Sequence, residues 1–327
     1  MAISVQLSFR SPLTVWITSS LTNVLTPTAV ALGNFDGVHR GHRRVIEPIV
    51  SQTPSTPRAT VVTFQPHPQE FFSGQPRTLL TPGAEKVQLL KAMGVEQLVL
   101  LPFDEKLAKL SPREFVEEIL LDRLQAVQIS VGEDFRFGRD RMGTAADLEA
   151  IAQPYGVRVH IIPLQKRHYE RISSSAIREA LLQGDISEAN SRLGRAYSLV
   201  GQVITGQQLG RTIGFPTANL LLPPQKFLPR LGVYAARVTT ETDNTPMAAA
   251  VNIGHRPTVG ADGVPTVEVH ILDWGGDLYG KTLTVSLEQF LRPEQKFASL
   301  TQLKAQIAAD CAAVRTCYRE VGAIIPT

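Results

Sequence analysis

GNFDGVHRGHRRVI, residues 33–46, decides how the chain is read. Its first ten residues hold three glycines (Gly33, Gly37, Gly41) and two histidines (His39, His42), directly after the apolar run Ala29–Leu32. An apolar strand that breaks into glycines and then into a helix is where α/β proteins usually hold phosphates. Yet the stretch has no Walker lysine and no G-x-G-x-x-G spacing. The stretch raises the question of what His39 and His42 would do there, and to which phosphate.

Outward from this stretch, residues 29 to about 185 alternate strand and helix. TAVALG (28–33), ATVVTF (59–64), QLVLLPF (97–103), VQISVG (127–132) and VRVHIIPL (157–164) read as strands. HRRVIEPIV (42–50), PGAEKVQLLKAMG (82–94), SPREFVEEILLDRL (111–124), AADLEAIAQPYG (145–156) and SSSAIREALLQGD (173–185) read as helices. Ser111, Pro112 and Glu114 form a capping box with proline at the first helical position. Such alternation predicts a parallel sheet covered by helices on both faces, with ligands at the carboxyl ends of its strands. Gly33 to His42 falls at such an end.

The pattern changes after about residue 186. ISEANSRLGR reads as a short connecting helix. YSLVGQVITG, GVYAARVTT, MAAAVNIG, TVEVHILDW and KTLTVSLEQFL then read as strands with turn-rich connections, and a helix over residues 299–321 follows. Short strands of this kind predict a small antiparallel barrel. The expected organisation is an α/β domain over residues 1–186 and a β-barrel domain over residues 187–327.

Composition narrows the function. With 33 Lys plus Arg against 30 Asp plus Glu, the net charge is +3, so no nucleic-acid footprint is expected. LTVWITSSL (13–21) is mildly apolar, but Arg10 is the only early cation and Thr18, Ser19, Ser20, Thr22 and Asn23 interrupt the apolar region, which argues against a secretory signal. No stretch reaches the roughly 18 apolar residues of a membrane span. Cys311 and Cys317, six apart in a helical pattern, are expected on different faces, without a disulfide or a zinc cluster. The expectation is a soluble cytoplasmic protein with no nucleic-acid or membrane partner; its oligomeric state stays open, a homo-oligomer included.

His39 and His42 stand three apart. At a helix start that spacing puts both imidazoles on one side, beside free N–H groups and the positive end of the helix dipole. The arrangement suits an anion that gains charge during a reaction. GQQLGRTIGFPTANL (206–220) has the outward look of a P-loop. However, only three residues separate Gly206 from Gly210, Arg211 stands where lysine belongs, and strand patterns flank it on both sides. Walker A is rejected.

Several motifs then resemble one family in order. GNFDGVHRGH is similar to the H-x-G-H nucleotidyltransferase signature, in the form found in prokaryotic bifunctional riboflavin kinase/FAD synthetases. TFQPHP (63–68) resembles T-F-E-P-H-P, VGEDFRFG (131–138) matches V-G-x-D-F-R-F-G, and SSSAIR (173–178) resembles S-S-T-x-I-R. GRTIGFPTAN (210–219) matches the riboflavin kinase signature G-R-x-x-G-x-P-T-A-N. The likeness covers nearly the whole chain beyond the first 25 or so residues, apart from the C-terminal tail. Gln65, Ser175 and Thr205 depart from the usual glutamate, threonine and histidine.

The resemblance implies a Rossmann-like nucleotidyltransferase domain and a riboflavin kinase barrel. It implies riboflavin, FMN and ATP as substrates, FAD as product and Mg²⁺ as cofactor. In adenylyl transfer the FMN phosphate attacks the α-phosphorus of ATP. A monoester's second pKa near 6 leaves that nucleophile ionised at neutral pH, so positioning and charge stabilisation suffice. His39 and His42 would donate in the transition state, with Gly33, Phe35, Asp36, Gly37 and Gly41 around the nucleotide. Ser173, Ser174 and Ser175 open a helix, with Arg178 in its first turn, as a pyrophosphate grip. Asp134, Phe135 and Phe137 are flavin contacts or simply a turn after a strand. His67, between two prolines, is a ligand contact or a rigid loop residue.

For the kinase, Gly210 and Gly214 would let backbone N–H groups approach phosphates, with Arg211 beside them, and Pro216 would stiffen the turn. Thr217 and Asn219 offer two hard oxygen ligands on one side of an extended chain, as Mg²⁺ prefers. An alcohol nucleophile benefits from a base, and the resemblance makes Glu268 that base, with Asn252 and Arg256 shaping the site. Alternation alone also permits Glu268 to be a solvated outward charge. The departures at Gln65, Ser175 and Thr205 keep open a chain with one working activity and one flavin- or nucleotide-binding module.

Overall fold

The central strand of the first domain forms because TAVAL carries no charge and can be buried on both faces. The computed structural model, which describes residues 14–50, 57–167, 170–206, 210, 213–255 and 265–324, buries every residue of β2 (Thr28–Leu32). Around it run β1 (Trp16–Thr18), β3 (Arg58–Gln65), β4 (Gln97–Pro102), β5 (Ala126–Gly132) and β8 (Arg158–Ile162), all parallel, in the order β1-β4-β3-β2-β5-β8. The chain runs from β2 to β3 and β4 in one direction, then to β5 and β8 in the other. The carboxyl ends of β2 and β5 are thus the topological switch point, where open α/β sheets take ligands.

Two cores flank the sheet. One packs Ala29, Ala31, Val61 and Leu98 against α1 (Arg40–Ile46) and α3 (Gly83–Ala92). The other packs Val30, Val62, Ile129 and Val131 against a helix begun by Pro112–Glu114 and continued as a π-helix over Phe115–Arg123, and against Ala145–Ala152. The capping box is present: Ser111 Oγ accepts from Glu114 N at 3.3 Å, and Glu114 Oε2 accepts from Ser111 N at 2.7 Å. Smaller pieces complete this unit. They are α2 (Pro68–Ser73), a short helix Glu105–Lys109, and the ribbons β6 (Arg136–Phe137) with β7 (Gly143–Thr144) and β9 (Lys166–Arg167) with β10 (Glu170–Arg171).

The chain divides into two compact units, residues 1–172 and 173–327. The second opens with helices Ser174–Gln183 and Ile186–Leu193. A closed antiparallel barrel follows: β11 (Tyr197–Ile204), β12 (Ala218–Leu221), β13 (Gly232–Thr240), β14 (Met247–Gly254), β15 (Thr266–Ile271) and β16 (Thr282–Arg292), ordered β11-β12-β15-β14-β13-β16. Alternation fills it. Val267, Val269 and Ile271 of β15 are buried, while Thr266, Glu268 and His270 between them are only partly so. The closing helix, Leu300–Ile324, covers part of the barrel's outside and is tied by Arg292, whose guanidinium grips Asp310 at 2.9 and 2.8 Å.

Four local expectations change. The helix expected from residue 42 starts at Arg40, because His39 caps it. β1 is a strand where only a mildly apolar stretch was read. It holds three residues and borrows its stability from β4. β12 is a sixth barrel strand that begins with the last two residues of the GRTIGFPTAN motif, Ala218 and Asn219. Cys311 and Cys317 do not face apart: both are buried in one cluster with Val314, Ala235 and Ala250, the helix presenting a broad apolar stripe. The two thiols are not joined. No helix among the described residues is long and apolar enough to cross a membrane.

Candidate active sites

The first site grows from the loop after β2. Phe35 (φ 48°) and Val38 (φ 41°) take left-handed backbone angles that residues with side chains seldom adopt, and Gly37 (φ 90°) stands between them. Phe35 is buried, and a Cβ on Gly33 would lie 3.2 Å from its ring. Asp36 is buried as well: its Oδ1 accepts from Thr81 N at 3.2 Å, while Thr81 Oγ1 accepts from Gly37 N at 2.9 Å. This tight turn delivers His39 to the N-cap of α1.

His39 caps with its ring. Nδ1 accepts from His42 N at 3.2 Å. A nitrogen that accepts carries no proton, so in the neutral ring the proton sits on Nε2, which becomes a donor held in place by the cap. The His39 and His42 rings stack at 3.6 Å with planes 14° apart, and Phe35 meets His42 edge-on at 5.3 Å. The spacing thus brings the two imidazoles together at the helix start. A Cβ on Gly41 would press to 3.1 Å from the His39 ring, so glycine there keeps room for the stack.

His67 repeats the device after β3: it caps α2, with Nδ1 accepting from Gln69 N at 3.1 Å. Beside it lies an aromatic group that sequence reading missed. Phe71, Phe72 and Phe103 contact one another at 5.2–5.8 Å, and Phe64 joins through Phe103. Phe72 is 72% exposed and Phe71 37%. Two exposed phenylalanines on one turn of helix are the sequence signal that was available. After β5, Asp134 forms an ion pair with Arg171. Phe137 is enclosed by Phe115 and Phe135 and a Cβ on Gly143 would strike its ring, which leaves Phe135 as the partly exposed ring of the pair. Ser173 caps the helix Ser174–Gln183 by accepting from Ala176 N at 3.2 Å. Ser174 is partly buried and Ser175 exposed; the Arg178 guanidinium lies 4.8 Å over the Phe227 ring. These four residues belong to the second compact unit.

The second site is a row across the outside of the barrel. In register, Asn219 of β12 and Asn252 of β14 both pair with Glu268 of β15. All three side chains therefore share a face, with neighbours about 4.8 Å apart. No hydrogen bond or ion pair to the Glu268 carboxylate is seen among the described residues, so it stands between two neutral amides. Asn219 is buried, and a Cβ on Gly206 would lie 2.1 Å from its Nδ2: the segment before the motif closes over it. Gly210 O accepts from Phe215 N at 2.8 Å, Gly214 has φ 91°, and Thr217 Oγ1 lies 3.3 Å from a Cβ built on Gly210. His270, also missed, shares Glu268's face two residues on. Its Nδ1 bonds the Pro216 carbonyl at 2.8 Å and its ring meets Phe215 edge-on, pinning the motif to β15. Arg211 and Arg256 lie outside the described residues.

Each compact unit thus carries its own loop of glycines and directed polar groups, one with two stacked imidazoles at a helix start and the other around a carboxylate with no partner among the described residues. That arrangement fits one class, a two-module transferase. Residues 21–176 match the FAD synthetase family and residues 193–318 the riboflavin kinase family. A relative from Pseudomonas fluorescens, described as a bifunctional riboflavin kinase/FMN adenylyltransferase, is 40% identical over 87% of this chain and 91% of its own. One of the same description from Escherichia coli K12 is 39% identical over 86% and 90%. A solved Streptococcus pneumoniae structure described as a macrolide-efflux protein shares the fold at TM-score 0.79 and 31% identity, over 92% of this chain and 99% of that one. The chain belongs to the family of bifunctional riboflavin kinase/FMN adenylyltransferases.

Proposed function

We propose that the chain phosphorylates riboflavin with ATP to give FMN, then adenylylates FMN with a second ATP to give FAD and pyrophosphate. The observation that carries this reading is the pairing of two unlike sites in one chain: stacked histidines with a fixed Nε2–H donor in one unit, and the Asn219–Glu268–Asn252 row in the other. We assign adenylyl transfer to residues 1–186 and the kinase to residues 187–327. The FAD synthetase match extends to residue 176 and so takes in Ser173 to Ala176.

In adenylyl transfer, an oxygen of the FMN phosphate bonds to the α-phosphorus of ATP and pyrophosphate leaves. The nucleophile needs no base. His39 Nε2–H and His42 donate to the phosphoryl oxygens as their charge rises. Ser173, Ser174, Ser175 and Arg178 are assigned to the ATP phosphates. The flavin ring is assigned to the exposed Phe71–Phe72–Phe103 group, beside His67, since a planar aromatic ligand gains most from such a surface, and Phe135 is assigned as a further flavin contact.

In the kinase, Glu268 takes the proton of the flavin's ribityl hydroxyl as that oxygen bonds to the γ-phosphorus and ADP leaves. Gly210 and Gly214 let the backbone close on the phosphates. Thr217 and Asn219 fit Mg²⁺: both are hard oxygen donors on the same extended segment, and Asn219 is held buried under Gly206. When bound, Mg²⁺ would neutralise charge on the transferring phosphates. We place the protein in the cytoplasm, acting on small molecules without nucleic acid or membrane.

The test is chromatography after incubation with riboflavin, ATP and Mg²⁺, and separately with FMN, ATP and Mg²⁺. FMN and FAD should both appear in the first mixture and FAD in the second. FMN without FAD would leave the kinase alone, and no product in either would remove the enzyme reading.

A further inference from the structure

Lys86 lies on α3 with only 9% of its surface exposed. Burying an ammonium is unfavourable unless it is paired and hydrogen-bonded. Its Nζ donates to the Asn34 carbonyl at 2.9 Å. Burial pushes its pKa below the ordinary lysine value, while the Asp36 carboxylate pulls the other way. Asn34 and Asp36 both belong to the turn that delivers His39, fifty or so residues earlier in the chain.

Three side chains from outside the turn hold it. Thr63 Oγ1 gives the Asn34 carbonyl a second hydrogen bond at 3.1 Å. Thr81 accepts from Gly37 N through Oγ1 and donates its own N–H to Asp36. Lys86 holds the same carbonyl, and its charge lies near Asp36. The turn needs holding, because Phe35 and Val38 both take left-handed angles. Such angles persist only where the surroundings over-determine them.

We propose that Lys86, acting with Thr81, is a positioning residue for adenylyl transfer: it holds the strained turn at 34–38 that sets His39 and His42 against the phosphates. The proposal rests on the adenylyltransferase reading above. Lys86 touches no reacting atom in this account. Without its ammonium, the Asn34 carbonyl keeps the Thr63 hydroxyl and Asp36 loses the attraction of that charge, so Phe35 and Val38 can relax towards ordinary angles. The cap at His39 then shifts with them. A displacement of about 1 Å at a reacting group costs about a hundredfold in rate.

Lys86→Met keeps an unbranched side chain, shorter by its terminal atom, and removes the charge and the donor. In the full-length variant, kcat for FMN-to-FAD conversion should fall about ten- to hundredfold, with KM for ATP and FMN within about threefold. Amide hydrogen exchange over residues 33–39 should quicken. Riboflavin phosphorylation by the same preparation should match wild type and reports that the chain is folded. If that variant does not fold, Thr81→Val and Thr81→Ser decide. Valine removes the acceptor of Gly37 N–H and should lower kcat, while serine keeps the acceptor and should restore it. Wild-type kcat in the folded Lys86→Met chain, a loss confined to KM, or unchanged exchange at 33–39 overturns the proposal. In the Thr81 pair, equal kcat for valine and serine does so. A wild-type chain that makes no FAD from FMN overturns the parent reading instead, and this catalytic role falls with it, whatever the exchange data show.

Discussion

His39 has one role in the structure and a second in the proposed reaction, and substitution can separate them. As N-cap of α1 it accepts the His42 N–H, and as the proposed phosphate donor it would offer Nε2–H. Asparagine is a strong N-cap but is too short to replace Nε2–H, whereas alanine loses both roles. Both substitutions remove the ring stack with His42, so that loss cancels when the two are compared. The difference between them isolates the cap at about 1 kcal/mol. In a unit of this size that is about 2–4 °C in Tm. Both should lose one preorganised donor, which costs about 10²–10³ in kcat. The assay is FAD formation from FMN and ATP, beside thermal melting of each variant and riboflavin phosphorylation as the internal control. His39→Asn should therefore melt a few degrees above His39→Ala while being equally poor at making FAD. FAD formation by His39→Asn within about threefold of wild type would refute the donor role and leave a capping residue. Equal melting temperatures would refute the cap.

Other expectations follow from the same geometry. Glu268→Gln should cut riboflavin phosphorylation by about 10²–10⁴ and leave FMN adenylylation at the wild-type rate; FMN produced at the normal rate would sink the base assignment. Gly206→Ala would drive a Cβ into Asn219, so the kinase should lose activity steeply in steady-state assays while FAD formation from FMN persists. Phe72 is largely exposed, so Phe72→Ala should change stability by less than about 0.5 kcal/mol. It should raise KM for FMN, by about tenfold if a stacked ring is lost, and spare KM for ATP. An unchanged KM for FMN would remove the flavin from that patch.

What the sequence carried depends on how local the cause is. TAVAL was legible as a buried strand because nothing in it needs water. The His39–His42 pair was legible because three residues is nearly one helical turn, and the capping box because Ser111 and Glu114 meet within four residues. β1 was not, since a three-residue edge strand has no periodicity of its own and exists through its partner β4. Lys86 and Thr81 were not, because their contacts reach back 44 to 52 residues and only the finished fold brings them to the turn. His270 stood in plain alternation with Glu268, but its partner, the Pro216 carbonyl, is a backbone atom that no residue identity announces. The two cysteines were misplaced because a helix lying flat on a barrel buries a stripe wider than one facing residue.

The alternation along β15 has a practical consequence. Val267, Val269 and Ile271 point into the barrel, and Glu268 and His270 point out of it. Packing stability and, on the kinase reading proposed above, the surroundings of the reacting flavin are therefore carried by interleaved residues that do not compete for the same space. A laboratory wishing to harden this kinase for use at higher temperature can repack the inward set with other aliphatic side chains. One wishing it to accept a modified flavin can vary the outward neighbours of Glu268. Because adjacent strand residues face opposite ways, the two campaigns can be run in parallel and their best changes combined.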